Sequence, residues 1–244
     1  MGPLMQDGAM MARGMVMSAF VLVGVLNVIA EASSNADAIT LTKPLLMPLL
    51  LAWLVTLVGR WWPTPLRWLA VGIGFAWIGD LALMGEGDTP FMLGIAAFLV
   101  MQVCYLVAFL RVPGPGLVRA WKIALIPYVL IWVGINVAIS NGVGDMRVPV
   151  LVYSAVALAM AVAALDLVLR LPQPLAWRAA AGALLFVVSD ALIAMTAFGP
   201  LTESAGWSAL IMATYIAAQG LIVTGFAHGV QQAMARDDAV GATR

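Results

Sequence analysis

Long apolar runs, separated by short connectors rich in proline, glycine and charged residues, fill almost the whole 244-residue sequence. A helix rises 1.5 Å per residue, so about 20 apolar residues are needed to cross the hydrocarbon core of a bilayer. Eight runs approach or exceed that length: 15–33, 43–60, 66–85, 90–111, 117–140, 147–170, 175–199 and 205–232. The sequence therefore predicts an all-α, polytopic membrane protein, a bundle of eight transmembrane helices.

The composition excludes a soluble domain of any size. Hydrophobic residues make up 64% of the chain and charged residues 10%, whereas a soluble domain carries about 25% charged residues. Because the connectors are short, we expect residues 1–244 to form a single integral membrane domain. A net charge of zero without a basic stripe argues against nucleic acid as a partner. With one cysteine and one histidine, neither a metal site nor a cofactor is expected.

The cations predict an orientation. If the N-terminus is cytoplasmic, most lysines and arginines fall on the cytoplasmic side, namely Arg13, Arg60, Arg67, Arg111, Arg119, Lys122, Arg170, Arg178, Arg236 and Arg244. Membrane proteins show this excess in their cytoplasmic loops. We therefore expect both termini to be cytoplasmic. The compactness of the chain leads us to expect a bacterial inner membrane. The first run also resembles a cleavable signal sequence, but its length and Asn27 favour a retained helix.

Two carboxyl side chains lie inside the apolar runs. Asp80 follows Leu66 by 14 residues and Asp190 follows Leu175 by 15. Both runs would lead outwards, so each carboxyl lies about 21–22 Å from the cytoplasmic end of its helix. An ionisable group at bilayer depth is costly unless it faces the interior of the bundle. We therefore predict that both carboxyls face a common cavity and are functional.

A weak internal similarity accompanies the two aspartates. A small residue precedes each of them, Gly79 and Ser189. The following helix carries tyrosine and glutamine in both cases: Gln102 and Tyr105, then Tyr215 and Gln219. Because an even number of helices separates the two groups, a duplication would give two parallel four-helix halves. The alternative is that the two groups of helices are unrelated and that the similarity is a coincidence.

Further polar side chains fall in the same layer of the membrane. They are Asn27, Lys43, Gln102, Tyr105, Tyr153, Ser189, Tyr215 and Gln219. Polar groups in membranes commonly hydrogen-bond helices together, and that interpretation stands beside substrate binding for each of them. For Lys43 the alternatives are extension towards the membrane surface, or pairing with a carboxylate or a lipid phosphate.

Short motifs follow one another in order along the chain, at 43–48, 79–84, 91–105, 149–153, 182–190 and 213–219. In this order the sequence resembles the YhhN-like lysoplasmalogenases, from the second predicted helix to the eighth. The resemblance implies an enzyme that hydrolyses the vinyl-ether bond of lysoplasmalogens to a fatty aldehyde and a glycerophospho-alcohol. Many relatives have histidine near the position of Gln102, so this departure puts the rate of the reaction here in doubt.

The two aspartates suit that chemistry. Vinyl-ether hydrolysis needs a proton delivered to the β-carbon, stabilisation of an oxocarbenium-like cation, and water. One protonated carboxyl can act as the acid, and one ionised carboxylate can stabilise the cation and activate water, by analogy with two-carboxylate glycosidases. We expect Asp80 and Asp190 to be catalytic, without assigning acid and base. The eight polar side chains given above are the substrate-binding candidates, with a lysophospholipid as substrate and membrane lipids as partners.

Two other classes of function remain open. Paired intramembrane carboxyls together with lysine and tyrosine also suit a small-molecule or proton-linked transporter. A non-catalytic lipid-binding membrane protein would bind lipid and release no product. The sequence predicts no oligomeric state.

Overall fold

The structure, a computed structural model, describes residues 3–241, apart from the side chains of residues 3–7, 9, 119, 237, 238, 240 and 241. Arg244 and the side chain of Arg119, counted above among the cytoplasmic cations, lie outside the described part. Within that part the chain is helical and contains no strand. The helices are α1 (Pro3–Ala32), α2 (Ala36–Val58), α3 (Thr64–Ala82), α4 (Asp88–Leu110), α5 (Leu117–Ala120), α6 (Ile126–Ala138), α7 (Arg147–Asp166), α8 (Leu175–Ala197) and α9 (Ala205–Gly241).

Six of the helices in the described residues are long and apolar enough to cross a membrane: α1, α2, α4, α7, α8 and α9. By helix length and composition the chain is a multi-pass membrane protein. Two predicted spans fall short of these criteria. Arg67 and Asp80 lower the hydropathy of α3, and the apolar stretch Lys122–Ala138 is only 17 residues long. The count of eight crossings therefore stays a prediction.

The predicted continuous helix over 117–140 is wrong. After the four-residue α5, Trp121 takes a non-helical conformation with φ −134° and ψ 77°. A 3₁₀ turn at Lys122–Leu125 follows, and α6 then begins with Pro127 in its first turn. Proline has no backbone N–H to continue a preceding helix, but it fits the first turn of a new one. Pro127 therefore accounts for the beginning of α6, six residues after the break at Trp121.

The helices pack most extensively as three antiparallel pairs: α1 with α2, α3 with α4, and α8 with α9. Glycine permits the closest approaches within two of these pairs. A Cβ atom on Gly72 would lie 2.5 Å from the ring of Tyr105, and one on Gly182 would lie 2.7 Å from the backbone nitrogen of Ile222. Small residues at helix crossings let backbones approach closely in membranes.

The packing of α6 differs from that of α1. Helix α1 buries Phe20, Asn27 and Ala30 against its neighbours. Within α6 only Tyr128 is buried, and its outer face is apolar, with Leu130 65% and Val137 66% exposed. A helix that buries so little of its surface leaves room beside α7 and α8, and that room lies next to one of the two predicted carboxyls.

Candidate functional site

Asp190 is held by hydrogen bonds from two other helices. Its Oδ2 atom accepts a bond of 3.1 Å from Nε2 of Gln102 on α4 and one of 3.0 Å from the hydroxyl of Tyr153 on α7. No donor among the residues that the structure describes bonds to its other oxygen, Oδ1. Both protein donors thus converge on one oxygen, which leaves Oδ1 as the atom that can carry a proton or meet a ligand.

Asp80 lies deeper in the bundle than Asp190 and is only 2% exposed. Its Oδ2 atom accepts a hydrogen bond of 2.9 Å from the hydroxyl of Tyr215 on α9. The half-buried Lys43 on α2 interacts electrostatically with this carboxyl. Across the described residues, however, the two form no ion pair within 4.0 Å; the ion pair that does form joins Arg170 and Asp166. Asp80 is therefore held by a hydrogen bond from Tyr215, and the charge of Lys43 acts on it from a longer distance.

Tyr215 connects the surroundings of the two carboxyls. Its hydroxyl bonds to Asp80 and also interacts electrostatically with Asp190. The rings of Phe98 and Phe186 hold it in place, with centroids 5.8 and 6.2 Å from that of Tyr215. The aspartates of α3 and α8 therefore both lie near the hydroxyl of Tyr215. In the described part of the chain, no three His, Cys, Asp or Glu side chains gather as a metal set.

A second hydrogen bond crosses the centre of the bundle beside this cluster. The hydroxyl of Tyr105 on α4 donates to Oε1 of Gln219 on α9 at 2.7 Å, and both side chains are fully buried. Besides Oδ1 of Asn27 on α1, two buried amide atoms have no protein partner among the described residues, Nε2 of Gln219 and Oε1 of Gln102. Buried polar groups are usually paired, so these atoms offer one donor and one acceptor to water or a ligand.

A cavity of about 80 Å³, here called the membrane cavity, opens beside Asp190 between α4, α6, α7 and α8. Its wall is mostly apolar. The polar or polar-tipped side chains on it are Trp132, Asn136, Tyr153, Ser154 and Asp190. Asp80 does not line it. Of the two predicted carboxyls, Asp190 is therefore the one that a molecule in this cavity would meet.

The sequence analysis missed three of these polar residues. Trp132 Nε1 donates to Ser154 Oγ at 2.9 Å, and Asn136 Nδ2 lies 3.4 Å from the same oxygen and 2.8 Å from the backbone oxygen of Trp132. The sequence could have indicated Asn136 as a candidate, because it is a polar residue within an apolar run, as Asn27 is.

Two of the predicted binding residues join helices away from the carboxyls. Asn27 Nδ2 donates to Thr42 Oγ1 at 2.9 Å, which ties α1 to α2. Ser189 Oγ donates to the backbone oxygen of Ile211 at 3.0 Å, which ties α8 to α9. The remaining six candidates lie around the two aspartates as described above.

Comparison with known proteins gives one match. The sequence matches the model of the YhhN family over residues 38–226. No curated protein and no solved structure matched the chain. The matched range runs from the beginning of α2 into α9 and contains both aspartates and all of their hydrogen-bond partners.

Proposed function

Because the chain belongs to the YhhN family, we propose that it is a membrane-embedded lysoplasmalogenase. It hydrolyses the vinyl-ether bond of a lysoplasmalogen to a fatty aldehyde and a glycerophospho-alcohol such as glycerophosphoethanolamine or glycerophosphocholine. The substrate enters from the lipid phase. A lysophospholipid substrate is consistent with a site that lies inside a bundle of apolar helices.

One observation carries this proposal: a carboxyl group lines an apolar cavity with one oxygen held by two donors and the other without a protein partner. Gln102 and Tyr153 fix Oδ2 of Asp190. A proton on this carboxyl would therefore sit on Oδ1. The surrounding wall accepts a hydrocarbon chain, and a protonated acid beside a hydrocarbon chain is what an alkenyl double bond needs for protonation.

In the proposed reaction, Asp190 transfers its proton to the β-carbon, and the electron pair of the C=C bond forms the new C–H bond. The α-carbon and the ether oxygen then share the charge of an oxocarbenium ion, which the ionised Asp190 stabilises. Water adds to the α-carbon and gives a proton back to Asp190. The hemiacetal then breaks its bond to the glycerol oxygen, which takes the hemiacetal's hydroxyl proton, and the aldehyde is released.

Asp80 supports this reaction as a positioning residue, since it does not line the membrane cavity. It fixes the hydroxyl of Tyr215, whose ring contacts Phe98 in the wall of the membrane cavity. Oε1 of Gln102, whose Nε2 atom donates to Asp190, has no protein partner among the described residues and suits the attacking water. Replacing Asp80 with Asn should lower kcat more than it changes KM and should alter the pH profile, which a purely structural role would leave unchanged.

The topology belongs to the same proposal: eight crossings, a single domain, both termini cytoplasmic and a location in a bacterial inner membrane. The separation of charges supports it, since arginines and lysines concentrate in alternate connectors. With Cys104 replaced by Ala, cysteines placed at the exposed Glu86 and Pro113 should react with a membrane-impermeant reagent from opposite sides. Labelling of both from one side would overturn the orientation.

The test of the function is release of aldehyde. Protein purified in detergent is incubated with a lysoplasmalogen and, separately, with the acyl lysophospholipid of the same head group and chain length. We expect aldehyde from the first and no fatty acid from the second. Lipid binding without any product, or uptake of a solute into proteoliposomes without chemical change, would overturn the assignment in favour of a lipid-binding protein or a transporter.

A further inference from the structure

A second cavity, here called the Arg147 cavity, is lined by residues of α6, of α7 and of the connector between them. Its volume is about 210 Å³. It shares Trp132, Asn136, Ile139 and Val150 with the membrane cavity. The two spaces are therefore separated by a few side chains, and Asn136 touches both of them.

Arg147 is the only cation that lines the Arg147 cavity. Its side chain is exposed, and it forms no hydrogen bond or ion pair with any residue that the structure describes. Guanidinium binds phosphate through paired N–H donors and is the side chain best suited to that anion. An arginine at the mouth of an apolar cavity thus offers a phosphate site.

The spacing along α7 fits the dimensions of a lipid head group. Arg147 precedes Ser154 by seven residues, which corresponds to about 10 Å along the helix. The long arginine side chain spans part of that distance, and a glycerophosphate covers the rest. Ser154 and Asn136 line the membrane cavity together with Asp190, so phosphate, glycerol and chain can occupy these positions in sequence.

Asn136 differs from its counterpart Asn27 in a way that favours ligand binding. Both asparagines bond to a hydroxyl on the next long helix, Asn27 to Thr42 and Asn136 to Ser154. The Asn27 bond is 2.9 Å long in a fully buried place. The Asn136 bond is 3.4 Å long and lies in the wall between two cavities. A weak bond in an open place is readily exchanged for one to a ligand.

We propose that Arg147 and Asn136 form the head-group subsite of this protein, with Arg147 binding the phosphate and Asn136 binding the free sn-2 hydroxyl of a lysoglycerophospholipid. This inference rests on the proposed function, because it places the sn-1 ether next to Asp190. It also explains selection of the lyso form. An sn-2 acyl ester has no hydroxyl to donate and adds a second chain at Asn136.

The phosphate half is tested by binding rather than turnover. The probe is a tritiated 1-O-alkyl lysophospholipid, whose saturated ether cannot be protonated and hydrolysed as a vinyl ether can. Arg147→Gln should weaken its binding about tenfold, as expected for loss of a charged hydrogen bond. It should leave binding of 1-O-alkylglycerol, which lacks phosphate, unchanged. Equal losses for both ligands, no loss, or an equal loss for a diacyl phospholipid would overturn the phosphate assignment.

The hydroxyl half is tested with Asn136→Leu and with a second variant, Ser154→Ala, in case the first fails to fold. Both should weaken binding of the lyso ether lipid about three- to tenfold. Neither should change binding of its sn-2 O-methyl analogue, so that discrimination between the two falls. Ile193→Ala, on the opposite wall of the membrane cavity, is the matched control and should affect both ligands equally. Unchanged discrimination in both folded variants would overturn the hydroxyl assignment.

These outcomes separate the inference from the proposed function. Because the probe is not cleaved, its binding reports on the subsite even if no aldehyde forms from any vinyl ether. If the wild type released aldehyde and Arg147→Gln bound the probe as tightly as the wild type, the head-group subsite would be wrong and the proposed function would stand. If the variants lost probe binding selectively but the wild type released no aldehyde, the subsite would stand and the proposed reaction would be wrong.

Discussion

Lys43 and Tyr153 occupy equivalent positions relative to the two buried carboxyls. Each stands 37 residues before the aspartate that it faces. Tyr153 donates a hydrogen bond of 3.0 Å to Asp190, whereas Lys43 acts on Asp80 through its charge. The same spacing on α2–α3 and α7–α8 supports the predicted relation between the two halves. The residue at this position differs between the two halves. It is tyrosine for Asp190, which lines the membrane cavity, and lysine for Asp80, which does not.

This difference predicts unequal effects of substitution. Tyr153→Phe removes a donor to Asp190 Oδ2 and should lower kcat about tenfold, as expected for a hydrogen bond to a carboxylate. Lys43→Met should lower kcat less than about fivefold, because Lys43 acts on Asp80, which does not line the membrane cavity, and forms no hydrogen bond with Asp190. Steady-state aldehyde release measures both. A larger loss in Lys43→Met than in Tyr153→Phe would contradict the distinction.

The Tyr105–Gln219 hydrogen bond should couple α4 and α9 energetically. Tyr105→Phe leaves Oε1 of Gln219 buried without a partner, at a cost of about 1–3 kcal/mol. Gln219→Leu removes the polar group itself. The double variant should therefore be more stable than the sum of the two single losses implies. Denaturation of the protein in mixed micelles gives the three free energies of unfolding, and strict additivity would show that the bond contributes nothing.

The crossing of α8 and α9 depends on the absence of a side chain at Gly182. Gly182→Ala places a Cβ atom 2.7 Å from the backbone nitrogen of Ile222, and such overpacking costs about 1–3 kcal/mol. Gly74→Ala is the matched control, since its Cβ atom would meet nothing within 4 Å, and it should be neutral or stabilising. Thermal unfolding in detergent measures both. Equal stability of the two variants would contradict the packing described.

The side chain of Gln102 donates a hydrogen bond of 3.1 Å to Oδ2 of Asp190. Gln102→His can still donate an N–H to Asp190 and should keep kcat within about tenfold of the wild type, whereas Gln102→Leu removes the donor and should lose more. Aldehyde release by the two variants is compared at one pH. If Gln102→Leu retained full activity, the hydrogen bond from Gln102 would have no part in catalysis.

The sequence predicted the helical class and the neighbourhood of the aspartates because both follow from local rules. Apolar runs of sufficient length require helices, and equal spacing from the helix starts placed Asp80 and Asp190 at one level. Their partners on α9 and α4 could be expected from the Tyr and Gln motifs. The exposure of each carboxyl could not, since it depends on tertiary packing, such as the loose packing of α6 beside Asp190.

The remaining differences arise from tertiary packing and from proline. In the sequence, Asn136 and Ser154 resemble polar residues that hydrogen-bond helices together. Only the cavity beside them indicates that they can also contact a ligand. The break at Trp121 was not predicted because the apolar residues of the run continue on both sides of it. Ser189 and Asn27 were grouped with the site by depth, but their bonds lead to neighbouring helices.

The turnover of Asp190→Asn tests the central claim most directly. Asparagine keeps the shape of the side chain but has no carboxyl proton to give, so aldehyde release should fall about 10²- to 10⁴-fold. Thermal stability should stay close to that of the wild type, and Asp37→Asn, at an exposed acid in the first turn of α2, should leave the rate unchanged. A folded Asp190→Asn protein that releases aldehyde at the wild-type rate would contradict the account.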